Sequence, residues 1–146
     1  MKKITSLILA LVLTFSLMCL FSCDKEQAPD ESGSPSPWDS ATYKEDTTLG
    51  SGAKTFTVEV CAYDKTVTFT ISSDKEFLGD ELISLGLVEG YEGAYGLYME
   101  RVNNILADYN TDKTYWALYI DGSYALTGID TTPIESGKVY KLSREK

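Results

Sequence analysis

The strict alternation of apolar and polar residues after Lys54 is the feature that most constrains the fold. In residues 56–62 every second residue is apolar, and the residues between are threonine, glutamate and cysteine. In residues 66–71 threonines alternate with valine, phenylalanine and isoleucine. A period of two predicts half-buried strands, and the short link Tyr63-Asp64-Lys65 predicts that they form a hairpin.

The rest of the folded part is predicted to contain one helix and several strands. Residues 80–87 carry leucine and isoleucine at helical spacing, and Gly86 marks the helix end. Asp121-Gly122 is a strong hairpin-turn signal. Further strands are predicted at residues 97–102, 115–120, 124–126 and 139–142. One helix crossing a mixed sheet indicates an α+β fold class, in the form of a small β-grasp-like domain.

Residues 1–22 have the pattern of a secretory signal peptide. Lys2 and Lys3 precede an apolar run that ends at Phe21. The alternative is a membrane-spanning helix, since the run is near the minimum of about 17 residues. However, Leu20-Phe21-Ser22-Cys23 resembles the bacterial lipobox, and a charged Asp24 follows at once. The pattern therefore predicts a lipoprotein signal and lipidation at Cys23, with the lipid bilayer as partner and an extracytoplasmic location, at the cell surface or in the periplasm.

Residues 23–52 are predicted to be a flexible tether. They contain Pro29, Pro35 and Pro37, are rich in serine, and have little aliphatic content, so they cannot bury enough surface to offset chain entropy. Trp38 and Tyr43 are exceptions that could dock on the domain. Residues 53–146 then form the single folded domain.

Charge and composition exclude several classes of function. The chain has 13 basic and 22 acidic residues, a net charge of −9 and no histidine. An acidic chain repels phosphate backbones, so nucleic acid is not an expected partner. Without histidine there is no catalytic triad and no histidine-containing zinc site. Cys61 has no partner for a disulfide once Cys19 leaves with the signal and Cys23 is acylated, and it is interpreted as a small strand residue.

Three motifs that could carry chemistry fail on inspection. Asp108-Tyr109-Asn110-Thr111-Asp112 begins like a calcium loop, but Lys113 replaces the glycine and Tyr119 the bidentate glutamate. Gly50-Ser51-Gly52 neither follows a predicted strand nor opens a helix. Adjacent acids such as Asp80 and Glu81 point apart on a helix, whereas a glycosidase pair faces one cleft. The sequence thus predicts no catalytic residue, no metal site and no cofactor, and the protein is not expected to be an enzyme.

Aromatic residues crowd the second half of the domain. Alternation places Tyr115, Ala117 and Tyr119 on one face of a strand, and Trp116, Leu118 and Ile120 on the other. Tyrosines among glycines are typical of recognition surfaces. The alternative is that most of these rings pack in the core, because tyrosine also favours strands. The cluster comprises Tyr91, Tyr95, Tyr98, Tyr109, Tyr115, Trp116, Tyr119 and Tyr124.

Blocks of sequence between residues 54 and 141 resemble the transcobalamin-like C-terminal domain family. The blocks are Tyr95-Gly96-Leu97-Tyr98, Val102-Asn103-Asn104-Ile105, Thr114-Tyr115-Trp116-Ala117-Leu118-Tyr119, Gly128-Ile129-Asp130 and the strand from Gly137 to Leu142. In the vitamin carriers of that family this domain is the smaller half of a cobalamin clamp. The resemblance implies that backbone amides and apolar side chains of two segments contact the ligand: Tyr95, Gly96, Leu97, Tyr98 and Met99, and Trp116, Ala117, Leu118, Tyr119, Ile120 and Asp121.

Two functions remain open on the sequence. The first is an envelope lipoprotein that binds a small amphipathic ligand, cobalamin or another corrinoid, for uptake through a transporter. The alternative is an envelope interaction module that binds protein or glycan without catalysis. It stays open because the carriers hold the other side of the ligand with a large helical domain, and half a clamp buries less of a ligand.

Overall fold

A computed structural model describes residues 35–146 of the chain. The predicted signal peptide, Cys23 and the first part of the predicted tether lie outside the described residues. Within residues 35–146 no helix has both the length and the hydropathy needed to cross a bilayer. The described elements are a 3-10 turn at Pro37–Ser40, β1 (Thr47–Ser51), β2 (Lys54–Ala62), β3 (Lys65–Ser73), α1 (Leu78–Ser84), β4 (Val88–Gly93), β5 (Gly96–Val102), β6 (Ile105–Leu106), α2 (Tyr109–Asp112), β7 (Tyr115–Ile120), β8 (Ser123–Tyr124) and β9 (Val139–Glu145).

The larger sheet has six strands in the order β1-β3-β2-β9-β7-β8. The predicted hairpin is confirmed, because β2 and β3 pair antiparallel over their whole length with Ala62 opposite Lys65. The sheet is mixed, since β1 runs parallel to β3 and β2 runs parallel to β9. The apolar residues of the alternating pattern, among them Val58, Val60 and Phe69, are fully buried. Alternation therefore fixed which face of this sheet covers the core.

The predicted α+β, β-grasp-like fold class is wrong. Of the described residues 49% lie in strands and 13% are helical, and the strands form two sheets rather than one. Strand β5 is not part of the larger sheet and pairs with β4 and β6 in a separate three-stranded antiparallel sheet. Gly90 makes this pairing feasible, because a Cβ at that position would collide with the Tyr98 carbonyl oxygen. The register shifts at Glu89/Gly90, as expected for a bulge at a glycine.

Residues 35–51 pack within the compact unit Pro35–Lys146. Trp38 is buried, and its indole N–H donates to the Ala62 carbonyl oxygen at 3.0 Å. The Tyr43 N–H donates to Asn103 Oδ1 at 2.9 Å, and the Asn103 amide donates back to the Tyr43 carbonyl at 2.7 Å. The stretch predicted as tether therefore supplies an aromatic anchor and the edge strand β1 despite its proline and serine content.

Helix α1 fixes the loop that leads toward β9. Leu78 and Leu82 of the helix are fully buried in the core. At the start of α1 the Leu78 N–H donates to the Thr132 carbonyl and the Gly79 N–H to the Ile129 carbonyl, both at 2.8 Å. These bonds satisfy helix N–H groups that have no partner within the helix. They also hold the segment around residue 130 in a defined place beside β5 and β7.

Candidate functional site

A cleft of about 170 Å³ opens between β5 of the smaller sheet and β7 of the larger one. Two of its walls come from the two segments that the resemblance singled out. The third wall is formed by β8 and the loop that follows it. The lining residues are Leu97, Tyr98 and Met99 of β5, Tyr115, Trp116, Ala117 and Leu118 of β7, and Tyr124, Ala125, Thr127, Gly128 and Ile129.

Five of the predicted contact residues do not line this cleft. Tyr95 is fully exposed in the turn between β4 and β5, and Gly96 follows it. Tyr119 donates its hydroxyl hydrogen to Glu145 Oε1 at 2.6 Å, and this hydrogen bond raises the pKa of Tyr119 to about 12. Ile120 is the last residue of β7, and Asp121 begins the turn that follows. The Asp121 carboxylate accepts from Lys138 Nζ at 2.8 Å, which lowers the pKa of Asp121.

The sequence reasoning missed the third wall of the cleft. Ala125, Thr127 and Ile129 lie in an irregular segment, so no hydrophobic period could mark them. The hairpin turn at Asp121-Gly122, in which both residues have positive φ, returns β8 against β7. The hairpin turn and the Gly128-Ile129-Asp130 block are the sequence features that could have indicated that residues 124–129 lie beside β7.

Aromatic side chains and polar groups both line the cleft. Tyr98 packs against Tyr91 with ring centroids 5.2 Å apart, and burial, followed by the neighbouring Tyr91, raises the pKa of Tyr98. Tyr124 stacks edge-on against Tyr119 at 5.4 Å. Residues 35–146 contain no group of three or more His, Cys, Asp or Glu side chains arranged so that they could hold a metal ion. Chemically, this lining suits contact with an apolar surface whose polar groups accept or donate a few hydrogen bonds.

Two buried polar atoms at the cleft have no hydrogen-bond partner. They are Trp116 Nε1 and Asp130 Oδ1, and they are the two buried unpaired side-chain atoms found in residues 35–146. Trp116 lines the cleft, and Asp130 directly follows the lining residues Gly128 and Ile129. Buried polar groups are nearly always paired, so the unpaired atoms of these two residues are unusual and could bind a ligand.

A second cleft, of about 380 Å³, lies at the C-terminal end of β9 and is lined mostly by charged residues. The Arg144 guanidinium in this cleft already has partners within the protein. It donates to Asp112 Oδ2 at 2.6 Å and to the Leu106 carbonyl at 2.9 Å, and it stacks on the Tyr63 ring. None of the predicted contact residues lines it. We therefore take the cleft between β5 and β7, hereafter the β5–β7 cleft, as the candidate site.

Comparison with known proteins places this cleft inside a recognised domain. A family model described as a domain of unknown function (DUF4430) matches residues 78–139, which include every residue lining the β5–β7 cleft. A crystal structure of a proposed metal binding protein from Ruminococcus gnavus ATCC 29149 is 30% identical with a TM-score of 0.61, and the match covers 64% of this chain and 98% of that one. The chain belongs to one family with this Ruminococcus gnavus protein.

A second solved structure among the matches is haptocorrin in complex with Cbi. It is 18% identical with a TM-score of 0.49, and the match covers 64% of this chain and 25% of haptocorrin. No curated protein matches the chain. The family model that matches is one of unknown function, and the transcobalamin-like family stays a prediction from the sequence.

Proposed function

We propose that this protein is an envelope lipoprotein that binds a small amphipathic ligand in the β5–β7 cleft, and that the ligand is a corrinoid. The observation that carries the proposal is the meeting of Leu97, Tyr98 and Met99 with Trp116, Ala117 and Leu118 in one cleft. These residues come from two different sheets and are far apart in sequence. The resemblance had singled out both segments as ligand contacts without information on how they pack.

The size of the cleft supports contact with one edge of the ligand. Its volume of about 170 Å³ is below the roughly 300–1,000 Å³ of sites that enclose a drug-sized ligand. A corrin edge with its apolar methyl groups and peripheral amides suits such a shallow aromatic surface. Partial burial limits affinity, so we expect dissociation constants in the micromolar range, which suits capture followed by transfer to a transporter.

Membrane attachment is part of the proposal. Acylation of Cys23 would hold the domain at the bilayer, because each buried CH₂ contributes about 0.8 kcal/mol and two or more chains anchor stably. Labelling cells with an alkyne-bearing fatty acid tests this. We expect label on the wild-type chain and none on the Cys23→Ala variant. Equal labelling of both proteins would refute lipidation at this cysteine.

Equilibrium dialysis of the full chain in detergent micelles tests the ligand. Cobalamin and dicyanocobinamide are followed by their visible absorbance, with protein-free micelles as the blank. We expect saturable binding of one corrinoid per chain. Absence of saturable binding at millimolar ligand would contradict the corrinoid proposal.

A matched pair of variants assigns the binding to the cleft. Ala125 lines the cleft, whereas Ala94 is exposed in the turn between β4 and β5. Ala125→Leu should weaken binding about tenfold or more by filling the cleft, as overpacking usually costs 1–3 kcal/mol, and Ala94→Leu should leave it unchanged. Circular dichroism checks that both variants are folded. Equal corrinoid affinities of the two variants would contradict binding in the β5–β7 cleft.

A second candidate function is an envelope interaction module that binds protein or glycan. It is favoured by large hydrophobic side chains outside the cleft lining, since Tyr91 is about half exposed, Tyr95 fully exposed and Leu126 96% exposed. Such residues form recognition surfaces when they lie together. Retention of the full chain on immobilised cell-wall glycan, lost in Tyr91→Ala, would support it. Unchanged retention of that variant would count against these tyrosines.

A further inference from the structure

We infer that the β5–β7 cleft recognises a carboxamide group, with Trp116 as the donor and Asp130 as the acceptor. The inference rests on the proposed function, in that it names the ligand chemistry of the same cleft. A carboxamide carries a carbonyl oxygen and an N–H group on one carbon. These are the two complements that the unpaired Trp116 Nε1–H and Asp130 Oδ1 require.

Asp130 is held in place without a donor for Oδ1. Its backbone packs against α1, where a Cβ on Gly79 would come within 3.0 Å of the Asp130 Cα. Its carboxylate lies between two glycines, because a Cβ on Gly96 would come within 2.7 Å of Oδ2 and a Cβ on Gly128 would collide with Oδ1. The two glycines therefore leave room for the carboxylate but offer it only C–H groups on those sides.

Trp116 contrasts with the other tryptophan of the chain. Both indoles are 6% exposed. The Trp38 indole N–H donates to the Ala62 carbonyl at 3.0 Å, whereas the Trp116 N–H has no acceptor. Burying a hydrogen-bond donor without an acceptor costs free energy, and Trp116 of the candidate site is such a donor. A ligand that supplies an acceptor would remove this free-energy cost.

The combination of one donor and one acceptor narrows the ligand chemistry. A carboxylate ligand has no N–H for Asp130 and is repelled by its charge. An ammonium ligand has no acceptor for the indole. An ester keeps the carbonyl but lacks the N–H. Trp116 lines the cleft, and Asp130 directly follows the lining residues Gly128 and Ile129, so both unpaired atoms belong to this part of the fold.

Fragment binding followed by NMR tests the inference without assuming a corrinoid. The full chain, labelled with ¹⁵N and held in detergent micelles, is titrated with propionamide and, separately, with methyl propionate. We expect propionamide to shift the Trp116 indole N–H resonance in a saturable manner, while the Trp38 indole resonance serves as an internal control and stays in place. Methyl propionate should shift the Trp116 resonance with an affinity at least about tenfold weaker, because it lacks the hydrogen bond to a charged acceptor.

Variants assign the two roles. Asp130→Ala should abolish the preference for propionamide over methyl propionate, and Asp64→Ala, which removes an exposed carboxylate from the turn between β2 and β3, should retain it. An unmoved Trp116 resonance, or a preference that survives in Asp130→Ala, would overturn the inference.

The same comparison on corrinoids separates this inference from the proposed function. Dicyanocobinamide carries peripheral amides, and dicyanocobyrinic heptamethyl ester replaces them with esters. Tighter binding of the amide form to wild type, lost in Asp130→Ala, supports both proposals. Equal binding of both forms overturns carboxamide recognition and leaves corrinoid binding intact. A response to propionamide with no binding of either corrinoid retains carboxamide recognition and refutes the corrinoid.

Discussion

Replacing Gly128 by alanine tests the position of the Asp130 carboxylate. A Cβ on Gly128 would collide with Asp130 Oδ1, and the next nearest atom it would meet is Asp130 Cγ at 3.6 Å. No other heavy atom outside its chain neighbours lies within 4 Å. Gly128 is not among the glycines with positive φ, so alanine brings no left-handed strain. The effect of the substitution should therefore depend on Asp130 alone.

The expected effect changes sign with the residue at position 130. In the wild-type background Gly128→Ala should lower the free energy of unfolding by about 1–2 kcal/mol, the usual cost of an extra group in filled space. In the Asp130→Ala background the collision is absent, and the substitution should raise it by about 0.4–1 kcal/mol by restricting the unfolded chain. The coupling energy is then about 1.5–3 kcal/mol.

Urea unfolding of the four full-length proteins of this cycle, followed by circular dichroism, measures the coupling by linear extrapolation. Gly86→Ala is the matched control, because Gly86 has a φ of +67° and nothing within 4 Å of its Cβ position. It should lower stability equally in both backgrounds. If Gly128→Ala behaved like Gly86→Ala, with the same sign and size in both backgrounds, the placement of the carboxylate and the reasoning built on it would be refuted.

Three further predictions concern the fold, the outer strand face and the rim of the cleft. Trp38→Ala should lower the free energy of unfolding by about 3–5 kcal/mol, as for other buried tryptophans, whereas Tyr95→Ala, which removes an exposed side chain, should change it by less than about 0.5 kcal/mol. Equal urea midpoints of the two variants would show that Trp38 does not anchor residues 35–51 to the domain. Since the folded-state pKa of Tyr119 is raised to about 12 and that of the unfolded chain is near 10, its hydrogen bond to Glu145 stabilises the fold below about pH 10 and is lost as the pH rises toward 12. Tyr119→Phe should therefore lose less stability than wild type between pH 10 and 12, and parallel losses in pH-dependent urea titrations would contradict this. Tyr98→Ala should weaken corrinoid binding in dialysis about tenfold and Tyr95→Ala should not, because Tyr98 lines the cleft and Tyr95 does not; the reverse order would place the site on the turn between β4 and β5.

Short-range sequence patterns predicted the two hairpins of the larger sheet. The β2–β3 hairpin follows from alternation, and the β7–β8 turn follows from Asp121-Gly122, where both residues adopt positive φ. The smaller sheet could not be predicted in this way. The pairing of β4 with β5 includes a close backbone approach at Gly90, which carries no periodic signal. This is why the α+β prediction was wrong.

Residues 35–51 pack on the domain although their composition is typical of a tether. They contain few aliphatic residues, but Trp38 is buried with its N–H satisfied and β1 adds an edge to β3. One large aromatic ring buries as much apolar surface as several small residues. A composition average over the segment conceals this contribution.

The candidate site was predictable in part. The resemblance singled out both strand segments, and six of their eleven residues line the β5–β7 cleft. The third wall lies in irregular structure, so the sequence gives no periodic sign of which residues face inward. The unpaired state of Trp116 Nε1 and Asp130 Oδ1 depends on which donors and acceptors fail to reach them. That property belongs to the packed fold and has no signature in the sequence.

A map of amide chemical-shift changes on binding of dicyanocobinamide to the ¹⁵N-labelled full chain in detergent would locate the ligand site directly. If the ligand binds in the β5–β7 cleft, the shifted amides should cluster in residues 97–99, 116–118 and 125–129, and the amides around Tyr63 and Arg144 should stay in place. Shifts centred on the Tyr63–Arg144 cleft, or no shifts at saturating ligand, would contradict the assignment of the β5–β7 cleft as the ligand site.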